Sequence, residues 1–385
     1  SKKVIFISHL VKKEQLNEYN DFYYGNMTTI KNSYTIFINH VFSKKNFYRK
    51  IKCGPNKIVF KETLSFLEET KIYISVLNSF LKIMFSETNN LFTFLLCAEM
   101  FSPQTINNLR IRSQIMEIVS SVNPKVLVLI CEGHAWERAL ISGVKSVNKN
   151  VKCIGYQHAA IFNTQNSLFK KLDESYSYDG FFTSGEHPKR KLVSAFPKAL
   201  VKIVGSPKIK NLSTIKNVSL KEKNKCLVIP EGLYEECDIL FNFSMRCAKL
   251  YPDIQFIWRL HPIIPENYFL KRDYHNLPKN ITISKNSLES DSKLSNCALF
   301  RGSTAIFELI RNNVNPVYLD YGSLGINPLY FLKNQIISVS DPKEFKKIFN
   351  KPINKKLKKD IQVFSKPLDY KKFELSINKL INEAI

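Results

Sequence analysis

Short apolar runs alternate with amphipathic segments along most of this chain. Val126–Ile130 is an unbroken apolar run, which is typical of a strand buried on both faces of a parallel sheet. Apolar residues at near-helical spacing follow over Ala135–Val147, and a second apolar run covers residues 151–156. This order predicts a strand, a helix and a second parallel strand, as in doubly wound α/β folds.

The same alternation continues on both sides of this unit. The first part of the chain adds predicted strands at residues 4–8, 34–40, 57–60, 181–183 and 201–204, with a helical region from about 63 to 120. The second part adds predicted strands at 226–230, 254–259, 281–284, 297–300, 316–319 and 336–338, with helices at 235–250, 303–312 and 342–350. Two parallel sheets with helices on both faces are therefore expected.

Residues 207–225 separate the two parts. They lose the apolar periodicity and are rich in Lys, Asn and Ser, which is typical of a linker. The length of 385 residues also favours two domains. We predict a first Rossmann-like domain at 1–206, a second at 226–369, and a helix at 370–385 of the kind that often returns to the first domain.

The chain is strongly basic, with 57 Lys and Arg residues against 33 Asp and Glu residues and a formal net charge of +24. Nucleic acid, an anionic membrane surface and small anionic substrates are the candidate partners. The alternative is that most of the lysines simply decorate solvated faces. The sequence has no RGG tract, zinc finger or RNP-like aromatic motif, so we expect no binding to nucleic acid.

The eight cysteines have no CxxC spacing, and several fall in or beside predicted buried strands. We interpret them as reduced core thiols, which favours a cytoplasmic protein without a zinc site. No secretory signal peptide is recognisable, and no apolar window is long enough to cross a membrane. Peripheral attachment to the inner face of the cytoplasmic membrane stays open.

Three polar residues follow the two strands of the central unit. Glu132 and His134 lie on a glycine-containing turn after the first strand, and His158 ends the second strand. Both turns lie at the carboxyl ends of parallel strands, where doubly wound folds bind ligands. We therefore expect the three side chains to face one crevice, and we take them as catalytic candidates.

Three more turns follow predicted strands in the second part of the chain. Glu231 lies on the first turn, as a candidate helix cap, sugar ligand or catalytic group. His261, followed by Pro262, shares the second turn with Arg259, and this pair suits a phosphate group. The alternative for His261 is a purely structural role.

The third turn, Arg301-Gly302-Ser303-Thr304, opens a predicted helix that carries Glu308. Free backbone N–H groups, the helix dipole and two hydroxyl groups would then converge on a phosphate or carboxylate. Arg301 adds positive charge, and Glu308 could accept hydrogen bonds from ribose hydroxyls. The alternative is that Ser303 is simply a helix cap and Glu308 a surface residue.

An acidic residue with glycine, a histidine with proline and a pair of hydroxyl residues follow one another along the chain, at Glu132-Gly133, His261-Pro262 and Ser303-Thr304. In this order they resemble the three short motifs of bacterial sialyltransferases and polysialyltransferases. They are also similar to those of transferases for Kdo and other CMP-linked ulosonic acids in capsule and lipopolysaccharide synthesis.

This resemblance implies the GT-B fold, in which two Rossmann-like domains with parallel sheets face a central cleft. It also implies transfer of an ulosonic acid, of the sialic, Kdo, legionaminic or pseudaminic type, from its CMP-activated form to a hydroxyl of a glycan or lipid-linked glycan. Glu132 would be the acid or base, and His261, Ser303 and Thr304 would hold the phosphate or the donor's carboxylate. No metal or other cofactor is expected, because CMP leaves with one phosphate.

The stereochemistry and the base stay open. Cys131 stands where the sialyltransferase pattern usually has a second acidic residue. A single base suits inversion, whereas retention by double displacement needs a second carboxylate as nucleophile. Glu231, Glu137 and Asp179 are the candidates for that second group.

Other activities are alternatives to CMP-sugar transfer. The first is a GT-B transferase that uses a UDP- or GDP-sugar or a CDP-alditol. A diphosphate donor would usually be bound by a turn with more glycine than Arg301-Gly302-Ser303 has. The second is a basic nucleic-acid-binding protein or an inactive GT-B-like scaffold. On the CMP-sugar hypothesis, Arg259 and Arg301 would face the carboxylate of the donor.

Overall fold

The computed structural model describes residues 3–18, 21–41, 53–85, 90–209, 224–265, 267–272, 274, 276–321 and 326–383. The chain divides into two compact units. The first comprises Ser1–His158, Asn166–Lys208 and Pro367–Ile385, and the second comprises Ala159–Gln165 and Ile209–Lys366.

Each unit is built around one sheet. The strands are β1 (Val4–Leu10), β2 (Ser33–Asn39), β3 (Lys57–Val59), β4 (Val126–Ile130), β5 (Lys152–Gln157), β6 (Gly180–Thr183), β7 (Leu200–Ile203), β8 (Lys225–Ile229), β9 (Gln255–Trp258), β10 (Ile281–Ile283), β11 (Ser295–Phe300), β12 (Asn315–Leu319) and β13 (Ile337–Val339). The first sheet has the order β3-β2-β1-β4-β5-β6-β7, and the second has the order β10-β9-β8-β11-β12-β13.

All neighbouring strand pairs in both sheets are parallel. In the first sheet the strand order reverses between β1 and β4, and in the second it reverses between β8 and β11. These two switch points are where an open parallel sheet leaves a crevice at the carboxyl ends of its strands.

The α-helices are α1 (Phe66–Met84), α2 (Leu91–Met100), α3 (Pro103–Val122), α4 (Ala135–Val147), α5 (Asn166–Phe169), α6 (Glu186–Ala195), α7 (Tyr234–Leu250), α8 (Tyr268–Lys271), α9 (Leu288–Lys293), α10 (Ile306–Arg311), α11 (Pro342–Phe349), α12 (Lys355–Phe364) and α13 (Tyr370–Glu383). None of these helices has the length and apolarity needed to cross a membrane.

Alternate residues of the central strands enter opposite cores. In β8, Cys226 and Val228 pack in a core with Trp258, whereas Leu227 and Ile229 pack in a separate core on the other face. Because successive side chains of a strand point to opposite faces, an apolar run in such a strand buries every residue. This is why the unbroken runs predicted the central strands correctly.

The last helix, α13, packs on the first sheet. Phe373 and Ile377 are fully buried in a core that also contains Val4, Phe6 and Phe182. The first unit is therefore made of three separate stretches of the chain.

The predicted fold class is confirmed, because both units are α/β with wholly parallel sheets. The division into units differs from the predicted ranges at two places: residues 159–165 belong to the second unit, and residues 367–369 belong to the first. Most of the predicted linker, residues 210–223, lies outside the described residues. The helix predicted at 303–312 is shorter and begins at Ile306.

Candidate functional site

Glu132 lies on the turn after β4, at the switch point of the first sheet, between two histidines. Its Oε2 atom is 3.2 Å from Nε2 of His134, and its Oε1 atom is 3.6 Å from Nε2 of His158. The His134 side chain is 57 % exposed, whereas His158 is only 6 % exposed. The structure therefore brings the three first-domain candidates together, with His134 the most open to a ligand.

Glu137, on the first turn of α4, fixes the conformation of this turn. Its carboxylate accepts hydrogen bonds from the backbone N–H groups of Glu132 and His134, at 2.9 and 3.0 Å. It also accepts from the N–H of Gly133 at 3.1 Å and from the hydroxyl of Tyr178. Gly133 has a φ of 89°, which favours glycine. Glu137 is fully buried and therefore positions the turn, which argues against a role as nucleophile.

Asp179 lies at the amino ends of the strands, on the side of the sheet opposite to Glu132 along the strand direction. Its carboxylate accepts hydrogen bonds from Nζ of Lys145 at 3.0 Å and from the N–H of Cys153 at 2.7 Å. Cys153 is near the amino end of β5, whereas Glu132 follows the carboxyl end of the neighbouring strand β4. This placement argues against Asp179 as a catalytic partner of Glu132.

The charges of the first site are set by burial and by the histidines. Burial alone would raise the pKa of Glu132, but the hydrogen bond to His134 and the nearby imidazoles outweigh it and hold the pKa at about 2. That hydrogen bond raises the pKa of His134. Burial lowers the pKa of His158 and of His9 to about 4. At neutral pH, His134 is therefore the partner that stabilises the Glu132 carboxylate.

Sequence reasoning missed several residues that lie beside Glu132. Nδ1 of His9, on β1, is 2.8 Å from Nε2 of His40, which follows β2. The ring of Tyr23 packs edge-on against His158 at 5.1 Å, and Nζ of Lys208 lies 4.5 Å above the Tyr23 ring. Histidines at strand ends were a readable signal, but only the strand order β2-β1-β4 shows that they are neighbours.

A carboxylate paired with an exposed imidazole suits acid/base chemistry. A carboxylate with a pKa of about 2 is a weak base at neutral pH, since an effective base has a pKa near the working pH. His134 has a raised pKa and is oriented by Glu132. This arrangement favours His134 as the group that exchanges a proton and Glu132 as the group that orients it.

Three turns of the second unit meet at the carboxyl ends of β8, β9 and β11. The Glu231 carboxylate lies so close to Gly302 that a Cβ on this glycine would be 2.2 Å from Oε2. A Cβ on Gly232 would be 3.1 Å from Nδ1 of His261. The turns are adjacent because β8 lies between β9 and β11 at the switch point of this sheet. The predicted residues Glu231, His261 and Gly302 are thus brought together.

His261 is arranged to donate a hydrogen bond. The N–H of Ile263 donates to Nδ1 of His261 over 3.3 Å. Burial lowers the pKa of the His261 imidazole, which favours its neutral form. A neutral imidazole that accepts at Nδ1 carries its proton on Nε2, and this N–H is a suitable donor to a phosphate oxygen.

The two arginines of these turns are occupied by buried carboxylates. Arg301 is 2 % exposed, its Nε is 2.5 Å from Oε2 of Glu236, and it donates to the carbonyl of Leu319 at 3.2 Å. Arg259 pairs with Asp291, which is 1 % exposed. These pairs hold the two turns in place, which argues against a contact of Arg259 and Arg301 with a donor carboxylate.

Ser303 and Thr304 do not cap a helix. Helix α10 begins at Ile306 and is preceded by Ala305, which makes no side-chain capping bond. The helix starts three residues later than predicted, which argues against a helix-dipole site at Ser303. Ser303 is buried, whereas Thr304 and Glu308 are exposed.

Two further observations bear on ligands. Pro262, after His261, is exposed. Within the described ranges, no group of three or more His, Cys, Asp and Glu side chains has an arrangement that could hold a metal ion. The expectation of metal-free chemistry stays a prediction.

Comparison with known proteins finds likeness in structure only. No family model matches the chain, and no curated protein matches it. The glycotransferase of kitacinnamycin has a similar structure, with a TM-score of 0.51 and 8 % identity over 100 % of this chain and 95 % of the other.

Two UDP-GlcNAc 2-epimerases are also similar in structure. The enzyme from Methanocaldococcus jannaschii in complex with UDP-GlcNAc and UDP has a TM-score of 0.54 and 12 % identity, with 99 % of each chain covered. The enzyme from Neisseria meningitidis bound to UDP-GlcNAc has a TM-score of 0.50 and 12 % identity over 99 % of this chain and 100 % of the other. These likenesses show a shared fold, the two-domain GT-B fold.

Proposed function

We propose that this protein is a glycosyltransferase that takes a sugar from a nucleotide-activated donor. The observation that carries the proposal is the pair formed by Glu132 and His134 at the switch point of the first sheet, with 3.2 Å between carboxylate and imidazole. A glycan hydroxyl is a poor nucleophile until a base removes its proton, and this pair is the candidate base.

In the proposed reaction the acceptor oxygen forms a bond to the anomeric carbon of the donor. The bond from that carbon to the phosphate oxygen breaks, and the nucleotide leaves with the electron pair. The acceptor's proton passes to His134, whose charge Glu132 stabilises. His158, buried on the other side of Glu132, would keep the carboxylate in place.

The second unit would bind the nucleotide. The N–H of His261 and the Thr304 hydroxyl are the proposed phosphate ligands, while Ser303 and Glu231 would shape the pocket. Glu231 sits against Gly302, and burial raises the pKa of its carboxyl group. Glu308, at the surface, is kept as the proposed ribose ligand.

We propose a UDP-sugar as the donor, ahead of a CMP-activated ulosonic acid. Arg259 and Arg301, which an ulosonic acid carboxylate would need, are paired with Asp291 and Glu236. The similar structures described with a nucleotide sugar contain UDP-GlcNAc. A glycan or lipid-linked glycan is the proposed acceptor, and a cytoplasmic location and the absence of nucleic-acid binding stay predictions.

A UDP-sugar 2-epimerase is the second candidate. Likeness to UDP-GlcNAc 2-epimerases over nearly the whole chain favours it. Epimerisation at C2 breaks a C–H bond and needs no acceptor. Incubation with UDP-GlcNAc in D₂O separates the two: deuterium at C2 without acceptor supports the epimerase, and UDP release that requires a glycan supports the transferase.

The nucleotide is tested by thermal unfolding with UDP, GDP, CDP and CMP. We expect UDP to raise Tm most, because a ligand stabilises by about RT ln(1 + [L]/Kd). His261→Ala should lose this shift. His187→Ala, which changes a histidine of the first unit outside the Glu132 cluster, should keep it. A shift with CMP alone would restore the ulosonic acid hypothesis, and no shift with any nucleotide would favour an inactive scaffold.

A further inference from the structure

Helices α1 and α2 present a large apolar surface that no other described residue covers. We call it the α1–α2 apolar face; it comprises Phe66, Leu67, Tyr73, Ile74, Leu77, Leu81, Met84, Phe85, Leu91, Phe92, Phe94, Leu95 and Leu96. Phe66, Phe85 and Phe92 are 84 %, 85 % and 73 % exposed. Isolated exposed apolar residues are common, but so many on two helices that pack against each other mark an interaction surface.

Helix α1 has two apolar sides. With about 3.6 residues per turn, its exposed apolar residues fall in one sector roughly 120° wide. Ile72 and Val76 are buried on a second sector, and Lys71 and Lys82 are exposed on a third. The stripe with Ile72 and Val76 packs against the rest of the unit. The second apolar stripe stays exposed among the described residues, so the fold alone does not account for it.

Helix α2 is apolar on nearly every side. Only Thr93 and Cys97 are buried, and Glu99 is the one charged residue among the ten of this helix. A helix that is apolar all round belongs in a core or in lipid. At a rise of about 1.5 Å per residue, ten residues extend only ~15 Å, about half of a bilayer core. Insertion would therefore be interfacial.

The size of the face exceeds what a free surface usually carries. A phenylalanine buries roughly 150–250 Å² when it is covered. Phe66, Phe85, Phe92 and Phe94 are each at least 67 % exposed. Together they present several hundred Å², which already matches the largest patch of a typical monomer, about 300–600 Å².

The net charge of the chain indicates what kind of partner covers the α1–α2 apolar face. Each copy carries a formal net charge of +24, so two copies repel each other, whereas an anionic lipid surface attracts each of them. A protein–protein interface also has a polar rim around an apolar centre. Helix α2 offers Glu99 alone for such a rim, and helix α1 adds the exposed Lys71 and Lys82, whose charge suits lipid phosphates.

We propose that the α1–α2 apolar face inserts into the interfacial layer of an anionic lipid membrane. The phenylalanines and leucines enter the boundary between headgroups and acyl chains, and the basic charge of the protein supplies the long-range attraction. This proposal does not depend on the proposed glycosyl transfer, since an inactive scaffold with the same face would bind equally well.

Vesicle sedimentation of the full chain tests the proposal. We expect the protein to sediment with vesicles of phosphatidylcholine and phosphatidylglycerol at low salt, and less with phosphatidylcholine alone. Phe92→Ser with Phe94→Ser should lower the partition coefficient roughly tenfold or more, because two exposed aromatic side chains no longer enter the membrane.

The matched control is Leu270→Ser with Leu375→Ser, since these leucines are 74 % and 61 % exposed but lie outside the face. It should sediment like the wild type, and all three proteins should have the same Tm. Failure of the wild type to sediment, or equal sedimentation of the phenylalanine variant, would overturn the proposal. A lipid-free dimer that the phenylalanine variant converts to a monomer would show that a second copy is the occupant.

Discussion

Glu132 is charged at every pH near neutrality because its pKa is about 2, so a pH dependence of activity must come from another group. His134 is that group in the proposed mechanism. Its hydrogen bond to Glu132 raises its pKa, and it accepts a proton only when it is neutral. The rate is therefore expected to rise with pH through the pKa of His134.

Glu132→Gln tests this division of roles. Loss of the negative partner should lower kcat/KM by roughly 10²–10⁴-fold and move the rising limb of its pH profile to lower pH. The measurement is kcat/KM across pH 5 to 9 for both proteins. A wild-type profile that is flat over this range would instead make Glu132 the base and leave His134 a neighbour.

A Cβ atom added at Gly302 or at Gly205 would meet a neighbouring atom at about the same short distance, but the neighbour is a side chain in one case and backbone in the other. A Cβ on Gly302 would meet the end of the Glu231 side chain, which can rotate away. A Cβ on Gly205 would lie 2.0 Å from the carbonyl oxygen of Pro367, and Gly205 also has a φ of 86°. Backbone cannot move aside as a side chain can.

Gly205→Ala should therefore cost about 1–3 kcal/mol or more of unfolding free energy. Gly302→Ala should cost less than about 1 kcal/mol but displace Glu231 and weaken the stabilisation by UDP. Urea denaturation and the UDP-dependent Tm shift of both variants provide the check. Equal destabilisation by the two substitutions would show that Glu231 is held rigidly against Gly302.

At the scale of elements, α13 is a structural part of the first unit. Phe373 is fully buried in the first-unit core, whereas Leu375 on the same helix is 61 % exposed. Phe373→Ala should cost about 3–5 kcal/mol, as large-to-small core substitutions do, and Leu375→Ala should stay within about 0.5 kcal/mol.

Tryptophan fluorescence can show which unit is destabilised by Phe373→Ala. The chain has two tryptophans, Trp136 in the first unit and Trp258 in the second. In a Trp258→Phe parent, urea denaturation followed by Trp136 should shift to lower urea for Phe373→Ala and not for Leu375→Ala. An unchanged transition would mean that α13 contributes little to the first unit.

The elements themselves could be predicted because each depends on a short stretch of sequence. Strands β4 and β8 are buried on both faces of their sheets. An unbroken run of apolar residues in the sequence indicates such a strand. The start of α10 could not be predicted, since Ser303-Thr304 looks like a cap and the helix begins only at Ile306. Nothing in the local sequence shows that the Ser303 side chain is buried and does not cap a helix.

At the scale of the whole molecule, the partners of side chains depend on strand order. Arg301 was predicted to bind a donor, but Glu236, which is 65 positions away in sequence, binds it. His9 and His40 were not predicted beside Glu132, because no local signal shows that β1 lies next to both β2 and β4. Candidates at the ends of predicted neighbouring strands could thus be predicted, whereas partners supplied by strands β1 and β2 could not.

The contribution of α13 also has a consequence for synthesis of the protein. Domains usually fold in the order in which they leave the ribosome. Here the core around Val4 and Phe6 also contains Phe373 and Ile377. The unit whose first strand is translated earliest can therefore be completed only after the entire second unit has been made.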